Sequence, residues 1–503
     1  LFEFFRNDLL DSRNYFASTI PERRYNNYGG TLGGAVKKDK LFFFLSNEYR
    51  RIIQSTGTRT TIVPTAAQLA GNFAGGRTVK DPDTHVAFAG NQIPTSMLDP
   101  NALSFLKTYY ASPTSGFQQG ALNYTNSSPD TTYYRSGLGR MDYNVSPTLS
   151  LFGRYNIDST RLGSPFGLFS SNPMPGSAAS EEAWIADTAN FSATWTPRPN
   201  LLNEFTTAWF HLSMAISMLP SAARSVDPSF NVPRVFDSST DSSAYIPSIS
   251  MGQGYAGISV AWPQNISGYT YEIFDNVSYI SCNHTFKFGG YLDRENKTQD
   301  NSNPNNNGSF SFDGSASGDA LADMLLGRAY QYTESSAHLS GSLRFFNAAG
   351  FAQDQWRATP RLTLTYGVRY EFFQPEQDSA GTISYFDPTR FNLSQAAQVQ
   401  PTNGQIVTGT QNFGNGIVVA GKDNPFGYEL TNSSRLNFSP RAGFAYSLTK
   451  DNLTVLRGGF GRFFDRWPQY ASSARNNYPF NQSVSIFNTS FSNPAQGSLR
   501  VFP

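Results

Sequence analysis

The sequence predicts an all-β fold: a transmembrane antiparallel up-and-down β-barrel with long loops at one end. Three observations lead there. Extended segments alternate apolar and polar side chains, very short connections alternate with very long ones, and no apolar run is long enough for a membrane helix. The clearest strand runs from Leu362 to Phe372. Leu362, Leu364, Tyr366, Val368, Tyr370 and Phe372 share one face, and Thr363, Thr365, Gly367, Arg369 and Glu371 share the other. A period of two sustained over 11 residues exceeds the usual strand of about 5–6 residues. It matches the roughly 9–11 residues of a strand that crosses a bilayer.

Looser copies of the pattern follow. Leu149, Leu151, Gly153, Tyr155 and Ile157 alternate with Ser150, Phe152, Arg154, Asn156 and Asp158. Phe286, Phe288, Gly290 and Leu292 alternate with Thr285, Lys287, Gly289 and Asp293, where Tyr291 interrupts the polar side. Ala442, Phe444, Tyr446 and Leu448 alternate with Arg441, Gly443, Ala445 and Ser447. In a membrane barrel the first face meets lipid and the second a hydrated lumen.

Connection lengths are the second signal. Tight turns are expected at Ser146-Pro147-Thr148, Thr196 to Asn200, Thr359-Pro360-Arg361 and Lys450-Asp451-Asn452. Proline cannot donate to a ladder, so it suits these places. Between them lie polar stretches read as long loops, such as Asp293 to Leu343 and Gln374 to Pro440. Short turns at one end and long loops at the other characterise membrane barrels, whereas a sandwich has modest connections at both ends.

Composition narrows the class further. Charged residues make up 15 % and aromatics 15 % of the 503 residues, with 42 Phe and 26 Tyr. Hydrophobic residues reach only 39 %, and mean hydropathy is −0.40. Few charges and many aromatics in a chain of modest hydropathy suit a sheet whose strands are greasy on one side only. The net charge of +1 offers no basic excess for nucleic acid. The lone Cys282 excludes an intrachain disulfide. The densest apolar run, Leu41 to Leu45, falls far short of the ~20 residues a spanning helix needs, and Phe205 to Ala223 reads as strand plus loop. A membrane location therefore requires a barrel, since only a closed sheet or a helix satisfies the backbone in lipid. The chain opens at Leu1 without a leader and stops at Val501-Phe502-Pro503, so a piece of a longer protein is expected.

Six blocks resemble the TonB-dependent outer-membrane transporters, and within them the Oar-like group that carries a carboxypeptidase-regulatory-like N-terminal domain. They are Leu1 to Asn7 with Leu10 to Phe16; Gly29 to Gly34 with Lys37 to Lys40 and Phe42 to Phe44; Lys80 to Thr84 with Gly90 to Pro94; Ala320 to Asp323 with Leu325 to Gly327; Phe351 to Trp356 with Thr359 to Leu364 and Gly367 to Glu371; and Ser439 to Phe444 with Arg457 to Gly461. Two positions depart from the family pattern, Ala35 where proline is usual and Met97 where a basic residue is usual.

The resemblance implies a 22-stranded barrel around a plug, of which residues 1–503 form a partial barrel domain. The plug, the regulatory-like domain, the energy-coupling box and the terminal aromatic strand are expected outside this chain. It further implies residence in the bacterial cell outer membrane and import of a bulky solute using TonB-coupled energy. The siderophore, cobalamin, glycan and peptide classes all stay open. The implied partners are outer-membrane lipid, an extracellular solute and, through the missing N-terminal part, the TonB complex. No nucleic acid and no cofactor are implied.

Chemistry-bearing residues give little support to an enzyme. His85, His211, His284 and His338 are scattered without a metal or catalytic spacing, and Cys282 sits at a predicted turn. No Gly-x-Ser-x-Gly elbow and no His-Glu-x-x-His occurs. Gly289-Gly290 and Gly458-Gly459 fall in predicted strands rather than phosphate loops. Asn303 to Gly308 distantly resembles a calcium loop, but asparagines replace its carboxylates and Gly314 stands where the bidentate Glu belongs. Asn-x-Ser/Thr triplets such as Asn144-Val145-Ser146 fall in or beside predicted strands and do not imply glycosylation.

Charges inside predicted strands cost about 2–4 kcal/mol against lipid at midplane. Arg154, Arg369, Glu371, Arg457 and Arg462 are therefore expected on the lumen side or near the rims, lining a conduit or pairing with one another. Trp262, Tyr269, Tyr271, Trp467 and Tyr470 are read as loop aromatics that would stack on a solute, or otherwise serve as interface girdle and loop packing. The leading expectation is transport. A secreted or surface all-β binding or adhesion protein is the alternative, and an outer-membrane enzyme ranks third.

Overall fold

A computed structural model of the chain describes residues 1–13, 15, 20–55, 57–168, 172–176, 179–218, 232–236, 246–259, 264–300, 305–337, 339–402, 407, 409–410, 412–421, 424–429, 431–449, 451, 453–466, 477–496 and 498–499. Thirteen antiparallel strands lie side by side in chain order. They are β1 (Phe2–Asn7), β2 (Arg23–Lys37), β3 (Leu41–Gln54), β4 (Asp130–Ser146), β5 (Leu149–Ser164), β6 (Ser180–Arg198), β7 (Leu201–Met218), β8 (Gln264–Ser281), β9 (His284–Asp300), β10 (Ser340–Thr359), β11 (Leu362–Phe373), β12 (Phe438–Ser447) and β13 (Val455–Gly461). The short strand Gln377–Asp378 adds to β10. Among the described residues β1 and β13 do not pair with each other, so the wall is an open, curved sheet.

The register runs without crossover, and one parity of residues stays on one face from strand to strand. Leu364 of β11 lies opposite Trp356 of β10 and Phe444 of β12, and Thr365 lies opposite Gln355 and Gly443. The alternation read over 362–372 is thus the true pleat. The strands are longer than that reading required, reaching 20 residues in β10. At a rise of ~3.3 Å and a tilt of about 35–45°, a barrel strand gains roughly 2.5 Å of height per residue. About ten residues then fill the ~25 Å apolar band, and the rest projects beyond it at the loop end.

Among the described residues the tight turns fall at one end; Lys450 and Asn452 of the expected turn before β13 lie outside the described residues. Hairpins close between Lys37 and Leu41, Ser146 and Leu149, Arg198 and Leu201, Ser281 and His284, and Thr359 and Leu362. Cys282 occupies one of them in the left-handed region, with φ 51°. Gly289 meets the ring of Phe351 across β9 and β10 at a distance that leaves no room for a Cβ. Close packing explains that glycine, as expected for a Gly inside a strand.

The long connections differ from expectation. The sequence presents them as polar loops, yet several fold together into a domain with its own core over the loop end of the sheet. Within the stretch Asp293 to Leu343 the chain forms strands Ser309–Phe312 and Arg328–Ser335 and the helix Ala320–Leu325. These join Ser248–Met251, Ser483–Ser490 and Ser498–Leu499 in a second, five-stranded sheet, in which Ser248–Met251 and Ser309–Phe312 run parallel. The helix Pro100–Tyr109 packs beside it and buries Ala102, Phe105, Leu106 and Tyr109. One apolar core unites Val63, Ile93, Phe105, Phe310, Leu321 and Phe491. The physical cause is cooperative burial: each loop alone buries too little to offset its ordering entropy, but several sharing one core do.

Helix starts in this domain are capped from the sequence. Asp99 accepts from Ala102 N at 2.9 Å, with Pro100 at the first helical position. Asp319, 1 % exposed, accepts from Leu321 N and Ala322 N at 3.0 and 3.2 Å and also meets Arg77 and the Tyr255 hydroxyl. Asp319→Ala is expected to destabilise the loop domain by ~1–3 kcal/mol through lost capping and stranded donors. Hydrogen exchange should show faster opening of Ala320–Leu325 while the strands of the wall keep their protection. Unchanged exchange in that helix would refute the assignment.

Candidate functional site

The two faces of the wall have different neighbours, which orients the barrel. Met218 at the loop end of β7 packs against the core of the loop domain, and Leu343 of β10 is buried with Ile383 and Ala420. By register, Met218 and Leu343 lie on the same face as Asn156, Asn190, Glu272, Asp293 and Thr365. The loops therefore fold over this inner face. The opposite face presents exposed Met141, Phe191, Ile273, Phe288, Leu292, Val368 and Phe444, the composition of a surface that meets hydrocarbon.

Most tyrosines and tryptophans on the outer face lie at two heights, with Tyr155 between them. Tyr143, Trp195, Tyr279, Trp356 and Tyr446 lie one to three residues from the tight turns. Tyr28, Tyr49, Tyr133 and Trp209 lie far up the strands, with Tyr28 and Tyr49 stacked at 5.5 Å. Two belts flanking an apolar band is the pattern of outer-membrane barrels, where amphipathic rings prefer the interface.

Arg154, Arg369, Glu371 and Arg457 fall on the inner face. Arg369 Nε holds Glu371 Oε1 at 2.9 Å, and Ser439 Oγ donates to Glu371 Oε2 at 3.1 Å. Arg154 Nη2 donates to Asn190 Oδ1 at 3.3 Å. Arg457 lies opposite Ala445 without an ion pair among the described residues. The four do not converge: Arg154 is on β5, Arg369 and Glu371 are on β11, and Arg457 is on β13. They belong to a polar lining that sequence reading only sampled. Arg50 pairs with Glu48 at 2.7 Å and lies over Tyr134, whose hydroxyl donates to Asp158 at 3.0 Å. Arg140 holds Asp142 with two bonds of 2.8 and 2.6 Å and covers Phe152. The lining is not uniformly polar, because Phe42, Phe44 and Phe210 are exposed on the same face.

Nearest the loops, the lining forms one dense cluster. Asp293 accepts from Asn347 N and Nδ2 and from the Tyr291 hydroxyl, and is 3 % exposed. Arg466 donates to Asn347 Oδ1 at 2.9 Å and to Gln374 O at 2.8 Å, with its guanidinium 3.4 Å from the Phe345 ring centroid. Burial pulls the Arg466 pKa down, against the pull of nearby Glu376, Glu295 and Asp293. In the loop domain, burial pushes the Asp323 carboxyl up although Ser317 and Ala316 donate to it. Arg234 and Tyr332 meet Glu334, itself 0 % exposed. These hydrogen bonds tie Asp293, Asn347 and Arg466 together at the top of the wall and Glu334 to Arg234 and Tyr332 in the loop domain.

The aromatic candidates need correction. Tyr269 and Tyr271 are not loop residues: both lie within β8 on its outer, membrane-side face, at 39 % and 51 % exposure. The strands extend past the apolar band, so aromatics that looked distant from any short strand are still in the sheet. Trp262, Trp467 and Tyr470 lie outside the described residues, as do His338 and Asn303 of the calcium-like segment.

Two of the histidines scattered along the sequence meet carboxylates in the fold. His211 Nδ1 meets Asp187 Oδ2 at 3.1 Å, and the Tyr155 hydroxyl donates to Asp187 at 2.7 Å. His284 Nδ1 meets Asp354 Oδ2 at 2.7 Å, and the Tyr366 hydroxyl donates there at 2.8 Å. Each trio spans three adjacent strands on the outer face, one near the tight turns and one ten residues above Leu201. A carboxylate facing the membrane is thereby supplied with donors. Sequence pattern held no signal for this, since the partners sit 12 to 70 residues apart. Among the described residues no three His, Cys, Asp or Glu side chains assemble as a metal set.

A curved antiparallel wall, apolar and aromatic-belted outside and polar inside, with turns at one end and folded loops at the other, defines a β-barrel protein of the bacterial outer membrane. The chain belongs to the outer membrane beta barrel domain family, whose model matches residues 1–503. No curated protein matches it. Among solved structures it is similar to the outer membrane transporter YddB from Escherichia coli, with 9 % identity, a TM-score of 0.44, and coverage of 92 % of this chain and 41 % of that one. It is also similar to the copper transporter OprC, with 8 % identity, a TM-score of 0.40, and coverage of 93 % and 49 %. A third is the ferric-catecholate import receptor Fiu from E. coli K12, with 12 % identity, a TM-score of 0.38, and coverage of 85 % and 51 %. The chain spans about half the length of these structures.

Proposed function

We propose that the chain is the wall and outer cap of a TonB-dependent transporter of the Oar-like group, importing a bulky solute across the outer membrane. The observation that carries this reading is the inner face. A polar, hydrogen-bonded lining runs up the wall and ends under a folded loop domain, which suits a conduit with a receptor mouth. On this reading residues 1–503 are part of a larger barrel, and the segments that contact the energy-coupling complex belong to the remainder of the protein. Arg154, Arg369, Glu371 and Arg457 then belong to the conduit wall, Tyr269 and Tyr271 to the outer girdle. Trp262, Trp467 and Tyr470, outside the described residues, are candidate solute contacts.

The test is uptake by intact cells. Deleting the full reading frame should abolish accumulation of one labelled solute class among ferric siderophores, cobalamin, oligosaccharides and peptides. Loss of TonB should abolish the same uptake, and restoring the gene should recover it. Unchanged uptake of every class, together with lost attachment of cells to a surface or glycan, would replace transport with adhesion.

A further inference from the structure

The outer face carries a cationic feature that neither the lining nor the girdle explains. Within the same two strands, arginines on the two faces are treated differently. On the inner face, Arg50 of β3 and Arg140 of β4 each grip a carboxylate, Glu48 and Asp142. On the outer face, Arg51 of β3 and Arg135 of β4 are exposed and have no acidic partner among the described residues. Unpaired arginines on a membrane-side face require a counter-charge or a position at the rim.

Height places both at the rim. Arg51 is ten residues above Leu41, and Arg135 is eleven above Ser146, at the loop end of each strand. At roughly 2.5 Å per residue these positions stand about 25 Å or slightly more above the turns, at the outer edge of the apolar band.

Their geometry is reciprocal. Arg51 lies directly opposite Tyr133 and Arg135 directly opposite Tyr49. Each guanidinium lies over the tyrosine of the other strand, Arg51 over Tyr133 at 5.8 Å and Arg135 over Tyr49 at 5.6 Å. The two arginines are thus diagonal neighbours, about 7–8 Å apart at Cα. Stacking holds a guanidinium by its face and leaves its N–H edge free, the edge that takes phosphate oxygens bidentately. Arg24 and Arg161 flank the pair on β2 and β5, on the same face. Their acidic neighbours, Glu22 and Glu181, stand at 3.3 and 3.4 Å.

We propose that Arg51 and Arg135 form a binding site for the phosphate groups of an outer-leaflet lipid headgroup, with Tyr49 and Tyr133 as its backing. The occupant is a membrane lipid because the guanidiniums project from the membrane side of the wall, directly above the surface that its acyl chains cover.

The test uses the intact protein extracted in a non-ionic detergent and titrated with diphosphoryl lipid A, with bound lipid read by native mass spectrometry. The unaltered protein should retain the diphosphoryl form and bind a fully dephosphorylated form at least tenfold more weakly. Arg51→Gln with Arg135→Gln should weaken diphosphoryl lipid A at least tenfold. Lys287→Gln, on the inner face of β9, should leave binding unchanged. Equal retention of the phosphorylated and dephosphorylated lipids, or equal retention by the double variant, would overturn the site. Displacement of bound lipid by millimolar inorganic phosphate would overturn the lipid assignment in favour of a free-anion site. Heat-modifiable gel mobility reports whether the double variant folds. If it does not, the comparison of the two lipids on the unaltered protein decides.

Discussion

Phe312→Ala is expected to destabilise the extracellular loop domain by about 3–5 kcal/mol while the wall beneath it stays assembled. Phe312 is 0 % exposed, and its ring lies 6.3 Å from Phe310 and 5.9 Å from Phe491. Those two rings are themselves in contact at 4.7 Å, and Phe491 reaches Phe105 of the helix Pro100–Tyr109 at 6.0 Å. The cavity would open where four separate loops meet, so neighbouring side chains have little freedom to collapse into it. Protease added to outer membranes should then cut in residues 57–129 and 305–337, which the unaltered protein protects. The heat-modifiable band of the wall should remain. A variant whose loops resist protease as before, or whose wall fails to assemble at all, contradicts a separately cored cap.

The second large effect concerns which face meets lipid. Val368→Arg should cost about 2–4 kcal/mol, the cost of a guanidinium near the bilayer midplane. Val368 is 45 % exposed on the outer face, six residues above Leu362 and so ~15 Å into the band. Thr365→Arg, three residues away on the inner face among Gln355 and Gly443, should be tolerated within about 1 kcal/mol because water or neighbouring polar groups can solvate it. The comparison needs only the amount of each variant folded in the outer membrane, with urea midpoints in lipid vesicles for magnitude. Equal damage from both, or greater damage from the inner substitution, would invert the assignment of the faces and with it the lipid site at Arg51 and Arg135.

The wall was legible in the sequence because its pleat repeats every second residue. Over 362–372 the alternation separated Val368 from Arg369 without any knowledge of partners, and the structure keeps that separation across β10, β11 and β12. The turns were legible because Pro147, Pro199 and Pro360 stop a ladder locally. Arg154, Arg369, Glu371 and Arg457 share one face of the sheet by register, whereas Arg462 lies just past the end of β13. The loops were not legible. Asp319 announces a helix start by ordinary capping chemistry, but surrounding Asn, Ser and Gly residues give its segment the look of a polar connection, and the helix that Asp99-Pro100 opens carries the same capping signal without a strand period to mark it. Tyr269 and Tyr271 were misplaced for a related reason, since nothing local says how far a strand continues beyond the membrane.

What the sequence determined by itself was period and punctuation: the alternation that makes a two-sided wall, the short turns at one end, and the want of a helix that could span lipid. Those properties reside in neighbours along the chain. Only the tertiary structure decided that distant loops share one core, that Asp187 and Asp354 each gather a tyrosine and a histidine, and that Arg51 and Arg135 stand unpaired beside each other's tyrosines. Each depends on strand register and on loops meeting in space, which set distances between residues far apart in the chain that no local pattern encodes.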